Sequence, residues 1–291
     1  MAIFGLNPHG FTWNYYMMHL LCRFTLYIFF RKVTLINTEN IPMEGGLVLC
    51  GTHNNQFVDA MSLMAYFPRE INFLVAAVST KNKWLNFFLK LVNFIPTRRP
   101  QDEIYPGIGT VVSVKVGELK GKGANFTKLL TDKSTVIYGS PKVELFVKKV
   151  VDDDTLEVDN PKGIEFEGET SFKVLPKVDQ SKMFDNCRKF LAEGKVVGIF
   201  PEGGSHDQMG LLPIKAGVGI IYMGAIEKYN ADAQVIACGI NYDNGHKFRS
   251  TVILEFGVPY KMQELEVKRY KDPELKKEVV NDFLQLISRF E

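Results

Sequence analysis

Short uninterrupted apolar runs, each handing over to a segment of helical pattern, constrain this fold most. Gly46-Leu47-Val48-Leu49-Cys50 leads into a helical pattern at 59–66. Residues 71–78 (INFLVAAV) lead into 84–94, and Val196-Val197-Gly198-Ile199-Phe200 into 218–227. Further strand patterns follow at 234–240 and 251–256, with a final amphipathic helix at 275–290. Such alternation predicts an α/β fold: a mostly parallel sheet flanked by helices. In an open sheet of this kind, ligands bind at the carboxyl ends of the strands. Two segments stand there: Gly51-Thr52-His53-Asn54-Asn55-Gln56-Phe57-Val58-Asp59 and Phe200-Pro201-Glu202-Gly203-Gly204-Ser205-His206. They predict one cleft, lined by a His with a nearby Asp and by a glycine-rich turn.

The pattern changes after Pro100. Between 107 and 176, β-branched residues alternate with polar ones, punctuated by Gly139-Ser140-Pro141, Asp152-Asp153-Asp154 and Asn160-Pro161-Lys162-Gly163. Short strands at this spacing predict a small all-β insert, a barrel or sandwich. The organisation expected is therefore an N-terminal membrane-associated helix region (1–40), an α/β domain in two parts (41–106 and 178–291), and the β-rich insert (107–177) between them.

At 291 residues with 46% hydrophobic and 23% charged residues, the chain can bury a large core. A net charge of +2 is too mild to indicate a nucleic-acid partner. Cys22, Cys50, Cys187 and Cys238 form no Cys-x-x-Cys pair, which speaks against a zinc or disulfide framework and suits a reducing compartment.

Residues 11–30 read FTWNYYMMHLLCRFTLYIFF and precede Arg31-Lys32. The run has the length of a membrane span, but Arg23 within it would cost roughly 2.5–3.5 kcal/mol. Trp13, Tyr15, Tyr16 and Tyr27 suit the membrane interface, so a helix lying in it is expected rather than a clean span. It lacks the basic start and small-residue cleavage site of a signal peptide. The aromatic segment 84–94, with Lys81, Lys83 and Lys90, is a second candidate for a membrane surface or a core helix.

His53 and Asp59 suit a general base and its orienting carboxylate, provided His53 lies in the strand-to-helix turn and Asp59 in the first helical turn. In the second segment, Gly203 and Gly204 let backbone approach a ligand, and their N–H groups can cradle an anion. Lys215 near a helix start, Arg98-Arg99, and Lys247-Phe248-Arg249 supply cations of the kind a phosphate needs.

The order His-x5-Asp, Ile-Pro-x-x-Arg, Phe-Pro-Glu-Gly-Gly-Ser-His and Cys-Gly-x-Asn-Tyr resembles the glycerolipid acyltransferase superfamily. Within it, the chain looks like the fungal glycerol-3-phosphate/dihydroxyacetone-phosphate acyltransferases. The stretch 200–225, with Leu-Leu-Pro-x-Lys-Ala-Gly, is the most specific match, and the resemblance covers about 41–260. It implies His53 as catalytic base with Asp59 as partner. It also implies an acceptor-site and oxyanion turn at Glu202, Gly203 and Gly204, and phosphate binding by Arg99, Lys215 and Arg249. The implied reaction moves a fatty acyl group from acyl-CoA to the sn-1 hydroxyl of glycerol 3-phosphate or dihydroxyacetone phosphate, the first step of glycerophospholipid synthesis. Acyl-CoA is a co-substrate, and neither cofactor nor metal is required. The partners implied are these two substrates and a lipid bilayer, with no nucleic acid. The location implied is the endoplasmic reticulum membrane with the site facing the cytosol.

Two departures stand out. Five residues separate His53 from Asp59 where the wider superfamily has four, and Ala237 stands where a proline is usual. The chain is much shorter than the fungal members and is expected to lack their later membrane segments. Other functions compatible with these motifs are a lysophosphatidate or lysophospholipid acyltransferase, a non-catalytic lipid-binding member of the fold, and a hydrolase in which His53 activates water. No Gly-x-Ser-x-Gly elbow supports a serine nucleophile.

Overall fold

The computed structural model describes residues 7, 9–131, 133–139, 142–204, 212–244 and 247–288, apart from the side chains of Gln56, Trp84 and Leu85. The chain forms two compact units, one comprising Met1–Thr97 with Ser181–Glu291 and the other Arg98–Gln180. The first contains helix α1 (Trp13–Phe29), strand β1 (Phe30–Ile36), β2 (Gly46–Gly51), α2 (Gln56–Tyr66), β3 (Ile71–Ala76), α3 (Lys83–Leu91) and β4 (Ile95–Thr97). The second holds β5 (Tyr105–Pro106), β6 (Thr110–Lys115), β7 (Glu118–Lys122), α4 (Phe126–Leu129), β8 (Thr135–Tyr138), β9 (Val143–Val150), β10 (Thr155–Asp159), β11 (Phe166–Thr170) and β12 (Phe172–Leu175). The first unit resumes with α5 (Ser181–Ala192), β13 (Val196–Ile199), α6 (Gly217–Tyr229), β14 (Ala233–Tyr242), β15 (Ser250–Phe256), α7 (Glu264–Lys271) and α8 (Lys276–Ile287).

The first unit is built on a seven-stranded sheet of order β1-β15-β14-β2-β13-β3-β4. Among the described residues of this sheet, only the β14–β15 pair is antiparallel. This is the expected mostly parallel α/β sheet. Leu47, Val48 and Leu49 of β2 are all fully buried, as a central strand covered on both faces requires. On one face, Leu47, Leu49, Ile236 and Leu254 pack with Tyr15, Cys22 and Leu26 of α1 and Leu63 of α2. On the other, Val48, Val197 and Val235 meet α5, α6 and α8 through Leu191, Ile221 and Phe283. Each such side chain contributes roughly 1.5–3 kcal/mol by leaving water.

Several boundaries differ from expectation. The N-terminal helix stops at Phe29, because Phe30 begins an edge strand in parallel register with β15 (Val33 opposite Val252). In its sequence, FRKVTLI, exposed Arg31, Lys32 and Leu35 mix with buried Phe30 and half-buried Val33, Thr34 and Ile36, so it lacks the uninterrupted apolar run of the central strands. The strand expected over 71–78 ends at Ala76 and passes into a short 3-10 turn, Ala77–Lys81. Helix α7 was not anticipated, although Gln263 and Glu266 cap its start reciprocally.

The second unit is an eight-stranded antiparallel sheet of order β11-β6-β7-β10-β9-β8-β12-β5. The stretch expected as the β-rich insert, 107–177, falls inside it. Strand β9 alternates buried Val143, Leu145 and Val147 with exposed Glu144, Phe146 and Lys148. One short helix, α4, interrupts the all-β pattern and drops Phe126 into the core.

Candidate active site

Strands β2 and β13 are neighbours and parallel, so the segments after Gly51 and after Ile199 emerge at the same end of the sheet. The chain turns at Thr52-His53-Asn54-Asn55 and enters α2 at Gln56, which puts Asp59 in the first helical turn. That is the geometry the His-x5-Asp spacing requires. His53 Nδ1 lies 3.0 Å from Asp59 Oδ2. Asp59 is 0% exposed, and two further donors reach it. The Asn55 backbone N–H donates to Oδ2 at 2.7 Å, and the Tyr242 hydroxyl donates to Oδ1 at 2.6 Å. A carboxyl that accepts from these donors takes its third hydrogen bond from His53 Nδ1–H, and in that tautomer of the neutral imidazole the lone pair sits on Nε2.

The imidazole is also held by packing. Its ring stacks on Phe200 with centroids 4.2 Å apart and planes 17° apart, and Phe200 stacks in turn on Phe73. Gly51 makes room for this: a Cβ there would stand 2.8 Å from the Phe200 ring. His53 retains access to solvent, its side chain being 15% exposed.

Glu202, 3% exposed, bridges two loops. Its Oε1 accepts from the His53 backbone N–H at 3.0 Å, and its Oε2 from that of Leu212 at 3.2 Å. Gly203 closes the turn by donating to the Phe200 carbonyl at 3.0 Å. Its φ of +76° belongs to the left-handed region that favours glycine. The Gly203 N–H, expected to help cradle an anion, is thus engaged in the turn itself. Lys215 N–H donates to the Pro201 carbonyl at 3.0 Å, and Lys215 Nζ lies against Gly203, 2.1 Å from where a Cβ would be. Among the described residues, none comes within 4 Å of where a Gly204 Cβ would be. Thr52 ties the loop to β14, its hydroxyl accepting from Ile240 N–H at 2.8 Å. A cavity of about 500 Å³ opens beside Thr52 and Glu202, bordered by Ile214, Gly239, Asn241 and Phe256.

The structure thus brings His53, Asp59, Glu202, Gly203 and Lys215 together. Arg249 stands just before β15, exposed and at a φ of +64°, its N–H donating to the Phe29 carbonyl at 2.7 Å. Arg99 belongs to the second unit, where its guanidinium forms two hydrogen bonds to Asp102, at 2.7 and 2.9 Å. Its phosphate role rests on the resemblance. Ser205, His206 and His246 lie outside the described residues. Tyr242 was missed as a site residue, although it ends the Cys-Gly-x-Asn-Tyr motif. Burial pushes its phenol far above the ordinary range, and the Asp59 charge adds to this, so it remains a donor. Burial likewise pushes the Cys50 thiol up to about 12, which removes it as a nucleophile near neutral pH. Among the described residues, no group of three or more His, Cys, Asp or Glu side chains is arranged to hold a metal ion.

A family model described as acyltransferase matches residues 32–137 and 173–241, over half of the chain. Glycerol-3-phosphate O-acyltransferase 1 of Saccharomyces cerevisiae is 33% identical over 278 residues, covering 90% of this chain and 36% of that protein. Glycerol-3-phosphate O-acyltransferase 2 of the same yeast is 31% identical over 320 residues, covering 98% of this chain and 42% of that protein. The 1-acyl-sn-glycerol-3-phosphate acyltransferase of Bacillus subtilis is 30% identical over 94 residues, 31% of this chain and 45% of that protein. The chain spans only 36% and 42% of the lengths of the two yeast proteins. With a His–Asp pair at the carboxyl end of a mostly parallel sheet and a family match that covers both segments of the site, the chain belongs to the acyltransferase family.

Proposed function

We propose that this chain transfers a fatty acyl group from acyl-CoA to the sn-1 hydroxyl of glycerol 3-phosphate. The observation that carries this is the hydrogen bond from His53 Nδ1 to Asp59, which leaves Nε2 free as a base at the mouth of the site. His53 Nε2 takes the proton of the acceptor hydroxyl as its oxygen attacks the thioester carbonyl. Asp59 stabilises the imidazolium that forms. The tetrahedral intermediate collapses, the C–S bond breaks, and the imidazolium returns its proton to the leaving thiolate. The products are coenzyme A and the acylated acceptor, with no covalent enzyme intermediate. Lys215, whose Nζ lies against the Gly203 turn, would meet the acceptor phosphate, so that binding energy orients the hydroxyl. The names of the yeast relatives favour glycerol 3-phosphate as acceptor. The Bacillus subtilis relative favours 1-acylglycerol 3-phosphate as the second candidate.

The acyl donor of such a reaction resides at a membrane, and α1 suits docking there. No described helix is long and apolar enough to cross a bilayer. Tyr15, His19, Cys22 and Leu26 bury one face of α1. The opposite face exposes Trp13, Met17, Leu20, Leu21, Phe24 and Tyr27, the last at 75%. Arg23 escapes the apolar face by lying over the Tyr66 ring, 5.3 Å from its centroid. A helix apolar on its outward face lies in a membrane interface. An endoplasmic reticulum location with the site facing the cytosol accords with this function.

The test is thiol release from palmitoyl-CoA with and without glycerol 3-phosphate, for the wild type and His53→Ala. Acceptor-dependent release that His53→Ala abolishes is expected. Release without acceptor identifies a hydrolase instead, release only with 1-acylglycerol 3-phosphate changes the acceptor, and retained lipid binding with no release identifies a non-catalytic member of the fold.

A further inference from the structure

The Tyr242 hydroxyl takes no part in the proton transfer described above, yet it touches the pair that performs it. It donates to Asp59 Oδ1 at 2.6 Å, while Oδ2 receives His53 Nδ1 and the Asn55 N–H. A carboxyl group held at one oxygen alone can turn about its broad terminal torsion. A donor on the other oxygen removes that freedom. Tyr242 is itself held by packing: it ends β14, and its ring stacks on Phe30, with centroids 5.8 Å and planes 28° apart. Phe30 is 2% exposed and opens β1. We propose that Tyr242 is a positioning residue, which clamps the free oxygen of Asp59 so that the other oxygen stays aimed at His53 Nδ1.

The clamp gives the end of β14 and the start of β1 a bearing on the pair. Strand β14 runs on past Gly51, which pairs with Cys238, so its last residue projects over the start of α2. The edge strand β1 then supplies the aromatic floor under the phenol. Without the hydroxyl, Oδ1 of a buried carboxyl would lack a donor, a cost that a small rotation toward other donors would relieve. That rotation would loosen the His53 bond.

The kinetic consequences rest on the acyl-transfer function proposed above; the geometric ones do not. Tyr242→Phe keeps the ring on Phe30 and removes only the hydroxyl. It is expected to lower kcat roughly ten- to a hundredfold, with both KM values within about threefold of wild type. In an Asp59→Asn background the same change is expected to add less than about twofold, because Tyr242 acts through Asp59. A readout without substrate comes from proton NMR. The low-field resonance of His53 Nδ1–H, assigned by its loss in His53→Ala, should shift upfield or broaden in Tyr242→Phe. An unshifted resonance with wild-type kcat would overturn the proposal, as would a kcat loss that is fully additive with Asp59→Asn. If the wild type acylates no phosphorylated acceptor, the acyl-transfer function fails, and the resonance alone decides the clamp.

Discussion

Asp59→Asn is the sharpest test of the site, because the structure states what the exchange does atom by atom. The side chain keeps its shape but trades one oxygen for an NH₂. With the amide oxygen in the Oδ2 position, it still accepts from His53 Nδ1 and the Asn55 N–H, and the NH₂ faces Tyr242. The phenol hydroxyl can rotate to accept, so no buried donor is stranded. With the amide turned the other way, the NH₂ would face the Asn55 N–H, donor against donor. The first arrangement therefore prevails, and the fold is expected to persist with Tm within a few degrees of wild type. What disappears is the negative charge beside the imidazolium. At a centre-to-centre separation of about 4 Å and an effective dielectric near 20, that attraction is about 4 kcal/mol. The partial exposure of His53 lowers it to about 3 kcal/mol. The expected loss in kcat is thus two to three orders of magnitude, with KM nearly unchanged. Initial rates of thiol release at saturating palmitoyl-CoA and acceptor measure it. An Asp59→Asn enzyme keeping a third or more of wild-type kcat would refute the assignment of Asp59 as the stabiliser of a catalytic imidazolium.

Two further outcomes follow from α1. Phe24→Glu places a charge in the middle of its exposed apolar face, Phe24 being 63% exposed. It should weaken co-sedimentation with anionic phospholipid vesicles at least tenfold and leave Tm unchanged; unaltered vesicle binding would remove α1 as the docking surface. His19, buried against α2 with Nδ1 2.9 Å from the Met64 carbonyl, has its pKa lowered by burial from 6.5. The unfolded chain then binds more protons than the folded one below about pH 6.5, so stability is full above that pH and falls as the pH drops beneath it. Urea unfolding between pH 7 and 5 should show this decline, and His19→Asn should flatten it; identical slopes for the two proteins would exclude His19 as its source.

Much of this molecule was legible in its sequence, for a local reason. The strands β2, β3, β13 and β14 announce themselves because a strand covered on both faces must be apolar at nearly every position. The turn residues between strand and helix are equally local: Gly203, at a φ of +76°, marks itself by type. From these the sheet, its helices and the end of the sheet that carries the site follow by general rules of α/β folds. His53 and Asp59 could be nominated because they fall within six residues of each other at that end.

Only the tertiary structure decided the rest. Glu202 meets the His53 backbone across 149 residues of sequence, and Tyr242 meets Asp59 across 183. No period or spacing encodes such contacts; they arise when parallel strands are brought into register by the burial of their flanking helices. The edge strand β1 escaped notice for the same reason, since its mixed FRKVTLI pattern becomes a strand when β15 offers a row of unpaired backbone groups. The sequence therefore nominates His53, Asp59 and the glycine-rich turn beside them. The fold settles which backbone and hydroxyl groups hold them in place, because those partners meet only once the core has closed.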